Sequence, residues 1–189
     1  MTGQVIWITG LSGAGKTTLA KELTVRLDKY GLHSILLDGD ILRSLLKVPD
    51  VIKDSHSREA RIKLALKYAQ LCKLLSSQGF TVVIATISMF NEVYAWNRNN
   101  LPNYFEVYLK VTLEELSNRD PKNIYRRYKS GELTNVAGLE LLVDQPNNSH
   151  MAFDFETQPF MWQSPTRLTD YLTAELKNLT SYNASVQLY

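Results

Sequence analysis

The sequence predicts an α/β fold of three layers, with helices on both faces of a mainly parallel central sheet. Segments typical of strands and of helices alternate along the chain, which favours parallel strands joined by crossover helices. Residues 80–86 form a β-rich run with few polar side chains, as expected of a central strand buried on both faces. With 189 residues, 44% of them hydrophobic and 21% charged, the chain is expected to form a single globular domain over residues 1–189.

Five strands are predicted from short runs rich in apolar and β-branched residues. They cover residues 5–9, 34–37, 80–86, 104–111 and 151–155. Ligands of open parallel sheets gather beyond the carboxyl ends of the strands. The residues that directly follow these runs are therefore the first candidates for a functional site.

The helices are predicted from apolar residues at helical spacing together with start and stop signals. They cover residues 17–30, 41–46, 57–79, 91–100 and about 165–181. Gly31 is the expected stop of the first helix, and Ser164 with Pro165 is a typical start of the last. Thr112 is a plausible N-cap after the fourth strand, with Glu115 completing a capping box.

A glycine-rich loop joins the first strand to the first helix. It reads Gly-Leu-Ser-Gly-Ala-Gly-Lys-Thr over residues 10–17 and fits G-x-x-x-x-G-K-[ST], the phosphate-binding P-loop. Its backbone N–H groups and the positive end of the following helix would point at a nucleotide triphosphate. Lys16 would contact the β- and γ-phosphates, and Thr17 would be a ligand for Mg²⁺. The residues predicted to bind the nucleotide are Gly10, Ser12, Gly13, Ala14, Gly15, Lys16, Thr17 and Thr18.

Two carboxylates follow the second strand. Asp38 and Asp40 flank Gly39, at a position where the ends of parallel strands place functional groups. They are candidates for catalysis and for support of a metal ion. The alternative is a surface turn, because Asp-Gly is a favoured turn dipeptide, and these residues alone do not separate the two interpretations.

Two arginines lie near the start of the long third helix. Arg58 and Arg61 are three residues apart and hence share a helix face. They could grip a phosphate or sulfate of the substrate, or belong to a solvated surface. Ile87 and Ser88 leave the end of the third strand, where substrates are again expected.

Residues 119–133 form a basic, polar stretch that includes Arg119 and Lys122. A solvated helix is the ordinary interpretation of such a stretch. Small kinases with a P-loop, however, need a mobile lid that expels water and brings cations to the developing charge. This requirement favours a lid over residues 119–133.

Charge and composition exclude several classes of partner. A net charge of +2, with no concentrated basic patch, argues against nucleic acid and membrane surfaces and favours a small-molecule substrate. The first apolar run has no basic flank and is too short for a signal peptide or a membrane span, so a cytoplasmic location is expected. The single cysteine, Cys72, lies in an apolar helical pattern and is expected to be a buried structural thiol.

Several motifs together resemble the adenylylsulfate kinase family. They are the P-loop, Leu-Asp-Gly-Asp at 37–40 followed by Arg43, the Ser-x-x-x-Arg segment at 57–61, Ile-Ser at 87–88, Arg-Asp-Pro-Lys at 119–122, and the glycine-containing pairs at 131–132 and 138–139. The resemblance covers roughly residues 4–155. It implies a P-loop NTPase fold, ATP and Mg²⁺ as cofactors, and transfer of the γ-phosphate to the 3′-hydroxyl of adenosine 5′-phosphosulfate. Members of the family are often dimers, which implies a homodimer here.

The resemblance also implies roles for individual residues. Asp38 or Asp40 would accept the proton of the attacking hydroxyl or help to hold the metal, and the sequence leaves both assignments open. Arg43 and Arg61 would hold the acidic end of the acceptor through charge-assisted hydrogen bonds. Arg119 would pack against the ATP base, and Lys122 would contact phosphate.

The acceptor side departs from the family pattern. Where the family places two phenylalanines around the acceptor's adenine, this chain has His56 and Val136. Nearby, Leu64 stands for an asparagine and Met89 for a proline. The ATP side therefore matches while the acceptor side differs. The resemblance keeps adenylylsulfate kinase as the first expectation, and the alternative is a relative with another nucleotide acceptor. One such relative phosphorylates cytidine diphosphoramidate during capsule modification, and a smaller pyrimidine needs less stacking area.

Two further function classes are disfavoured. A non-catalytic nucleotide-binding module would need neither the acids at 38 and 40 nor a basic lid. A GTPase would be expected to carry Asn-Lys-x-Asp, which is absent from this sequence. The sequence thus favours a phosphotransferase that acts on an alcohol group.

Overall fold

The computed structural model describes residues 3–46 and 57–186, with the backbone alone for residues 177–186. It shows one five-stranded sheet in the order β2-β3-β1-β4-β5, and every pair of neighbouring strands is parallel. The strands are β1 (Val5–Thr9), β2 (Ser34–Asp38), β3 (Thr81–Ala85), β4 (Tyr104–Lys110) and β5 (Met151–Asp154). The predicted α/β fold with a parallel central sheet is confirmed.

Five helices lie close to their predicted positions, and two short ones follow β4 where no helix bounds were predicted. They are α1 (Lys16–Lys29), α2 (Gly39–Leu45), α3 (Arg58–Ser77), α4 (Asn91–Asn100), α5 (Leu113–Arg119), α6 (Ile124–Lys129) and α7 (Pro165–Val186). Helix α2 begins two residues earlier than expected because the Asp38 side chain caps it. A 3₁₀ helix at Pro159–Gln163, absent from the sequence predictions, precedes α7.

Two hydrophobic layers sandwich the sheet. Strands β1 and β3 are buried at every position, and their alternate side chains enter opposite layers. One layer packs Ile6, Ile8 and Val107 against α1 and α7, and the other packs Trp7 and Ile84 against α3 and α4. This arrangement leaves the carboxyl ends of the strands as the open edge of the sheet.

The N-caps of two helices and the burial of the cysteine agree with the sequence predictions. Ser57 caps α3 through a hydrogen bond from the Ala60 N–H, and Thr112 accepts one from the Glu115 N–H. Cys72 is fully buried within the layer against α3, where burial raises the pKa of its thiol to about 12. Within residues 3–46 and 57–186, no helix combines the length and apolar character that crossing a bilayer requires.

Candidate active site

The glycine-rich loop leaves β1 at the open edge and turns directly into α1. Gly10 has φ of 149°, and a Cβ there would lie 2.6 Å from the Leu109 carbonyl oxygen. Gly15, with φ of 90°, is the N-cap of α1 in the left-handed region. The first turn of α1 therefore opens onto the same space as the loop, an arrangement suited to an anion.

Lys16 folds back over this loop. Its Nζ donates a hydrogen bond to the Leu11 carbonyl oxygen at 2.7 Å. Burial lowers the pKa of Lys16 to about 7, and the charge of Lys122 acts in the same direction. The ammonium group is thus held inside a site that a phosphate would complete.

This lowered pKa predicts that ATP binding is coupled to proton uptake. Phosphate oxygens favour the charged amine and raise its pKa, so the affinity for ATP is expected to fall as the pH rises above about 7. Calorimetric measurement of the Kd for ATP between about pH 6 and pH 9 tests this expectation. The Lys16→Arg variant is the matched control, because its guanidinium stays charged throughout. An equal pH dependence in both proteins would contradict the assignment.

Asp38 links the end of β2 to the start of α1. Its carboxylate accepts hydrogen bonds from Thr17 Oγ1 at 2.7 Å and from the Asp40 N–H at 2.8 Å. Partial burial acts to raise the pKa of Asp38, but these hydrogen bonds outweigh it and hold the pKa below its usual value. The structure therefore shows Asp38 facing the glycine-rich loop, and it does not show the surface turn that was the alternative.

Asp40 has a different environment. Its carboxylate is exposed and pairs with the ammonium of Lys122, which lies beyond α5. In the described part of the chain, Lys122 is the side chain that satisfies this carboxylate. Asp40 thus stands at the mouth of the site, where the basic 119–133 stretch reaches it.

The 119–133 stretch also touches the glycine-rich loop. Tyr125 is buried and donates a hydrogen bond to the Ser12 carbonyl oxygen at 2.9 Å. The ring of Pro121 lies within 3.5 Å of where a Cβ on Gly13 would be. These contacts bring the 119–133 stretch against the glycine-rich loop, while its role as a lid stays a prediction.

A cavity of about 430 Å³ joins these groups. The predicted site residues that line it are Ser12, Gly13, Gly15, Lys16, Thr17, Thr18, Asp38, Asp40, Arg43, Arg61, Ile87, Lys122 and Val136. Four of them are cations and two are carboxylates, so the cavity carries an excess of positive charge. That balance suits a ligand with several phosphate-like groups.

Arg61 is the more buried of the two arginines that line the cavity. Burial lowers the pKa of Arg61 to about 10, and the charge of Arg43 adds to the effect, so the Arg61 guanidinium stays protonated at neutral pH. Arg61 Nη2 donates a hydrogen bond to the Asn135 carbonyl oxygen at 2.8 Å. The arginine therefore ties the segment that carries Val136 to helix α3.

Other predicted site residues lie outside the cavity. Gly10 and Ala14 are buried within the glycine-rich loop, and the Ser88 hydroxyl shares a hydrogen bond with that of Thr86 at 2.8 Å. Arg58 pairs with the carboxylates of Glu92 and Asp144 instead. His56 lies outside the described residues.

Arg119 lies beside the loop in an aromatic setting. Its guanidinium carbon is 4.7 Å from the Phe155 ring centroid and 5.5 Å from that of Trp162. Trp162 in turn comes within 3.9 Å of where a Cβ on Gly15 would be. Flat side chains thus flank the loop at one end, a setting suited to a nucleobase.

Sequence reasoning missed several of the residues that form the site. They are Thr86, Thr134, Asn135 and Ala137 at the cavity, and Phe155 with Trp162 beside the loop. Pro121, Ile124 and Leu133 also line the cavity and lie within the predicted lid. The segment over residues 133–137 has no hydrophobic periodicity to mark it. Asn135 has φ of 56°, and an asparagine in a turn is the one weak signal there.

Comparisons with known proteins agree with this geometry. The sequence pattern of the adenylylsulphate kinase family matches residues 2–154. A cytidine diphosphoramidate kinase of Campylobacter jejuni is 42% identical over 142 residues, covering 75% of this chain and 81% of the relative. An adenylyl-sulfate kinase of Pseudomonas aeruginosa is 36% identical over 152 residues, covering 79% and 76%.

A solved structure shows the same fold. It is the APS kinase of Mycobacterium tuberculosis in complex with AMPPNP and APS, with a TM-score of 0.80 and 25% identity. The match covers 93% of this chain and 98% of that one. The P-loop beside a parallel sheet, the two acids at the end of β2 and the family match lead to one conclusion. The chain belongs to the adenylylsulphate kinase family and is a phosphotransferase.

Proposed function

We propose that this enzyme transfers the γ-phosphate of ATP to the 3′-hydroxyl of a small nucleotide conjugate with a diphosphate-like acidic end. One observation carries the proposal: a single cavity joins the phosphate loop, the two acids at the end of β2 and two arginines. A phosphoryl donor and an anionic acceptor both fit that arrangement of charge. Transfer between them then depends on positioning and on electrostatic stabilisation.

The ATP side consists of the loop, the start of α1 and the lid. Lys16 and the N–H groups of residues 13–18 bind the β- and γ-phosphates. Arg119, with Phe155 and Trp162 beside it, packs against the base. Lys122 leaves Asp40 and contacts phosphate when the nucleotide is present.

The residues at the loop fit Mg²⁺. Among residues 3–46 and 57–186 there is no group of three or more His, Cys, Asp or Glu that could hold a metal, so an all-protein metal cage is absent there. Mg²⁺ in kinases needs no such cage, because it takes one or two protein oxygens, water and the phosphates. The Thr17 hydroxyl and the Asp38 and Asp40 carboxylates supply hard oxygen donors. When bound, the ion would neutralise charge on the β- and γ-phosphates.

The surroundings of the two acids favour different roles. Asp38 is held by Thr17 and by the N–H groups of α2, which favours a fixed role behind the Thr17 hydroxyl. Asp40 is exposed and pairs with a lid lysine that ATP would draw away. We therefore assign Asp40 to orient the acceptor hydroxyl and to take its proton.

The acceptor lies against the opposite wall. Arg43 and Arg61 grip its acidic end, and Ile87 and Val136 contact its nucleoside. Ser88 supports this wall through its hydrogen bond with Thr86. His56 is expected to contribute from outside the described residues.

The wall at Val136 bears on the choice of acceptor. Val136 is 8% exposed and presents a branched aliphatic side chain where a stacking ring would need a flat one. Each base–aromatic contact contributes about 1–3 kcal/mol, and larger bases gain more from it. This observation favours a pyrimidine conjugate, cytidine diphosphoramidate, over adenosine 5′-phosphosulfate. The name of the Campylobacter relative supports the same choice.

Offering the two acceptors separately with Mg²⁺ and ATP tests the proposal. We expect ADP release to depend on the acceptor, with a higher kcat/KM for cytidine diphosphoramidate. A higher kcat/KM for adenosine 5′-phosphosulfate would make the enzyme an adenylylsulfate kinase. ADP release that is unaffected by either acceptor would reject the proposed function.

An aromatic ring at position 136 should shift the preference between the two acceptors. The Val136→Phe variant is expected to raise kcat/KM for adenosine 5′-phosphosulfate by roughly tenfold relative to the cytidine conjugate, because a stacking face returns. Val136→Leu adds bulk without a flat face and is the matched control. If both variants change the ratio equally, stacking at position 136 does not set the preference.

A further inference from the structure

Residues 133–145, here called the acceptor segment, bring Val136 to the cavity without the support of regular structure. The segment lies between α6 and β5 and contains no helix or strand, only an isolated bridge between Ala137 and Leu141. Five of its residues, 133–137, line the cavity. Long irregular segments are commonly functional. Backbone hydrogen bonds from the Gly138 N–H to Leu141 and from the Leu141 N–H to Val136 close a local turn in this one, and contacts outside the segment fix where that turn lies.

One end of the acceptor segment is tied by Arg61, through the hydrogen bond to the Asn135 carbonyl oxygen. Arg61 also lines the cavity, so it can touch the acceptor itself. Between the two ends, Gly138 packs on the glycine-rich loop: a Cβ there would lie 2.8 Å from a methyl carbon of Leu11. The segment thus connects the acceptor wall to the ATP loop.

The other end is tied at Asp144 by several bonds. Its Oδ2 accepts from Arg58 Nη2 at 2.6 Å and from the Asn91 N–H at 2.9 Å, at the N-terminus of α4. Its own N–H donates to the Met89 carbonyl oxygen at 2.9 Å, and its carbonyl accepts from the Tyr94 hydroxyl at 3.1 Å. The carboxylate is also favourably placed at a helix N-terminus.

Arg58 is itself held in place from its other side. It donates two hydrogen bonds to Glu92, at 2.8 and 3.2 Å, and its guanidinium carbon lies 5.2 Å from the centre of the Phe90 ring. Such a planar, bidentate arrangement suits arginine rather than lysine. Because Arg58 and Arg61 lie three residues apart on one rigid helix, α3 fixes the distance between the two ties.

We propose that Arg58 is a positioning residue for the acceptor: through Asp144 it holds the acceptor segment so that Val136 closes the acceptor wall. This inference rests on the proposed function, since it concerns the acceptor side of the same site. It also gives Arg58 a different role from Arg61, although the sequence presents them as equivalent. Arg61 touches the ligand, and Arg58 acts through the protein.

Steady-state kinetics of Arg58→Ala test the proposal. We expect the KM for the acceptor to rise by roughly tenfold, the effect of losing one charge-assisted tie, with kcat and the KM for ATP changed by less than about twofold. Arg58→Lys should recover part of the acceptor KM, because one of the donors is restored. Glu92→Gln is the matched control; it leaves the Arg58–Asp144 pair in place and should change the acceptor KM little.

A double-mutant cycle distinguishes positioning from general damage. Asp144→Asn should raise the acceptor KM in the same direction, and the Arg58→Ala/Asp144→Asn double variant should add little to the larger single effect. Additive effects, or an acceptor KM that Arg58→Ala leaves unchanged, would overturn the proposal. An equal rise in both KM values would also overturn it.

Amide hydrogen exchange provides a readout that needs no acceptor. Exchange over residues 133–145 should be faster in Arg58→Ala than in the wild type, while the strands of the sheet keep their protection. If the wild-type enzyme used neither acceptor, the proposed function would fail on that result alone. Unchanged exchange in the variant would then reject the role of Arg58 separately.

Discussion

Replacing Asp40 by Asn is expected to lower kcat by about a thousandfold, within the range that loss of a general base produces. Asparagine keeps the size of the side chain but can neither take a proton nor balance the Lys122 charge. The Kd for ATP should change by less than about threefold, because the loop and Lys16 remain intact. Rapid-quench measurement of the chemical step, together with calorimetric ATP binding, checks both parts.

Two comparisons sharpen this result. Asp38→Asn should also lower kcat. It should in addition weaken Mg²⁺ binding, seen as a higher Mg²⁺ concentration at half-maximal activity, because Asp38 holds the Thr17 hydroxyl. Glu59→Gln removes an exposed carboxylate that pairs with Lys63 on the surface of α3, and it should leave kcat unchanged. If neither Asp38→Asn nor Asp40→Asn slows turnover, the assignment of the acids is wrong.

Replacing Lys16 by Ala is expected to reduce kcat/KM for ATP by roughly a thousandfold, the size of loss that follows removal of a preorganised charge from a closed site. Both ATP binding and transfer should suffer, because the amine contacts phosphates that are bound in the ground state and gain charge in the reaction. Steady-state kinetics and calorimetry separate the two effects.

The stability of the Lys16→Ala variant provides the control. Burial of this amine disfavours its charged form, as its lowered pKa indicates, so the apoenzyme should lose no thermal stability when it is removed. A thermal melt of both proteins without nucleotide measures this. Turnover within tenfold of wild type would contradict the role of Lys16, whereas a large fall in Tm would mean that the variant reports on folding instead.

Local patterns explain why so much of the fold follows from the sequence. Helix α4 occupies Asn91–Asn100, as predicted, and the predicted buried run around β3 is buried at every strand position. The glycine-rich loop is recognisable because its glycines, lysine and threonine act through short-range geometry. The acids after β2 were expected at the open edge because parallel strands end there together.

The parts that escaped prediction depend on contacts between distant residues. Arg58 and Arg61 share a helix face in the sequence, yet Arg58 meets a carboxylate 86 positions away and Arg61 enters the cavity. The acceptor segment has no periodicity because a local turn and contacts with distant residues hold it, rather than the repeating pattern of a helix or strand. The short 3₁₀ helix that brings Trp162 to the loop is five residues long, too short for a periodic signal.

Other expectations stay predictions. A homodimer, a cytoplasmic location and opening of the lid over residues 119–133 follow from the resemblance and from the sequence. The hydrogen bond of Tyr125 to the loop supports a lid that lies over the ATP site. Sedimentation of the purified protein at several concentrations would test the dimer.

The central claim is that the terminal phosphate of ATP is transferred to an alcohol oriented by the acids at the end of β2. Phosphorus NMR of the products formed from ATP and cytidine diphosphoramidate tests it most directly. The account predicts ADP and a new phosphate monoester whose phosphorus couples to the proton on the 3′ carbon of the acceptor. A new phosphoanhydride on the acceptor, or inorganic phosphate with the acceptor unchanged, would contradict it.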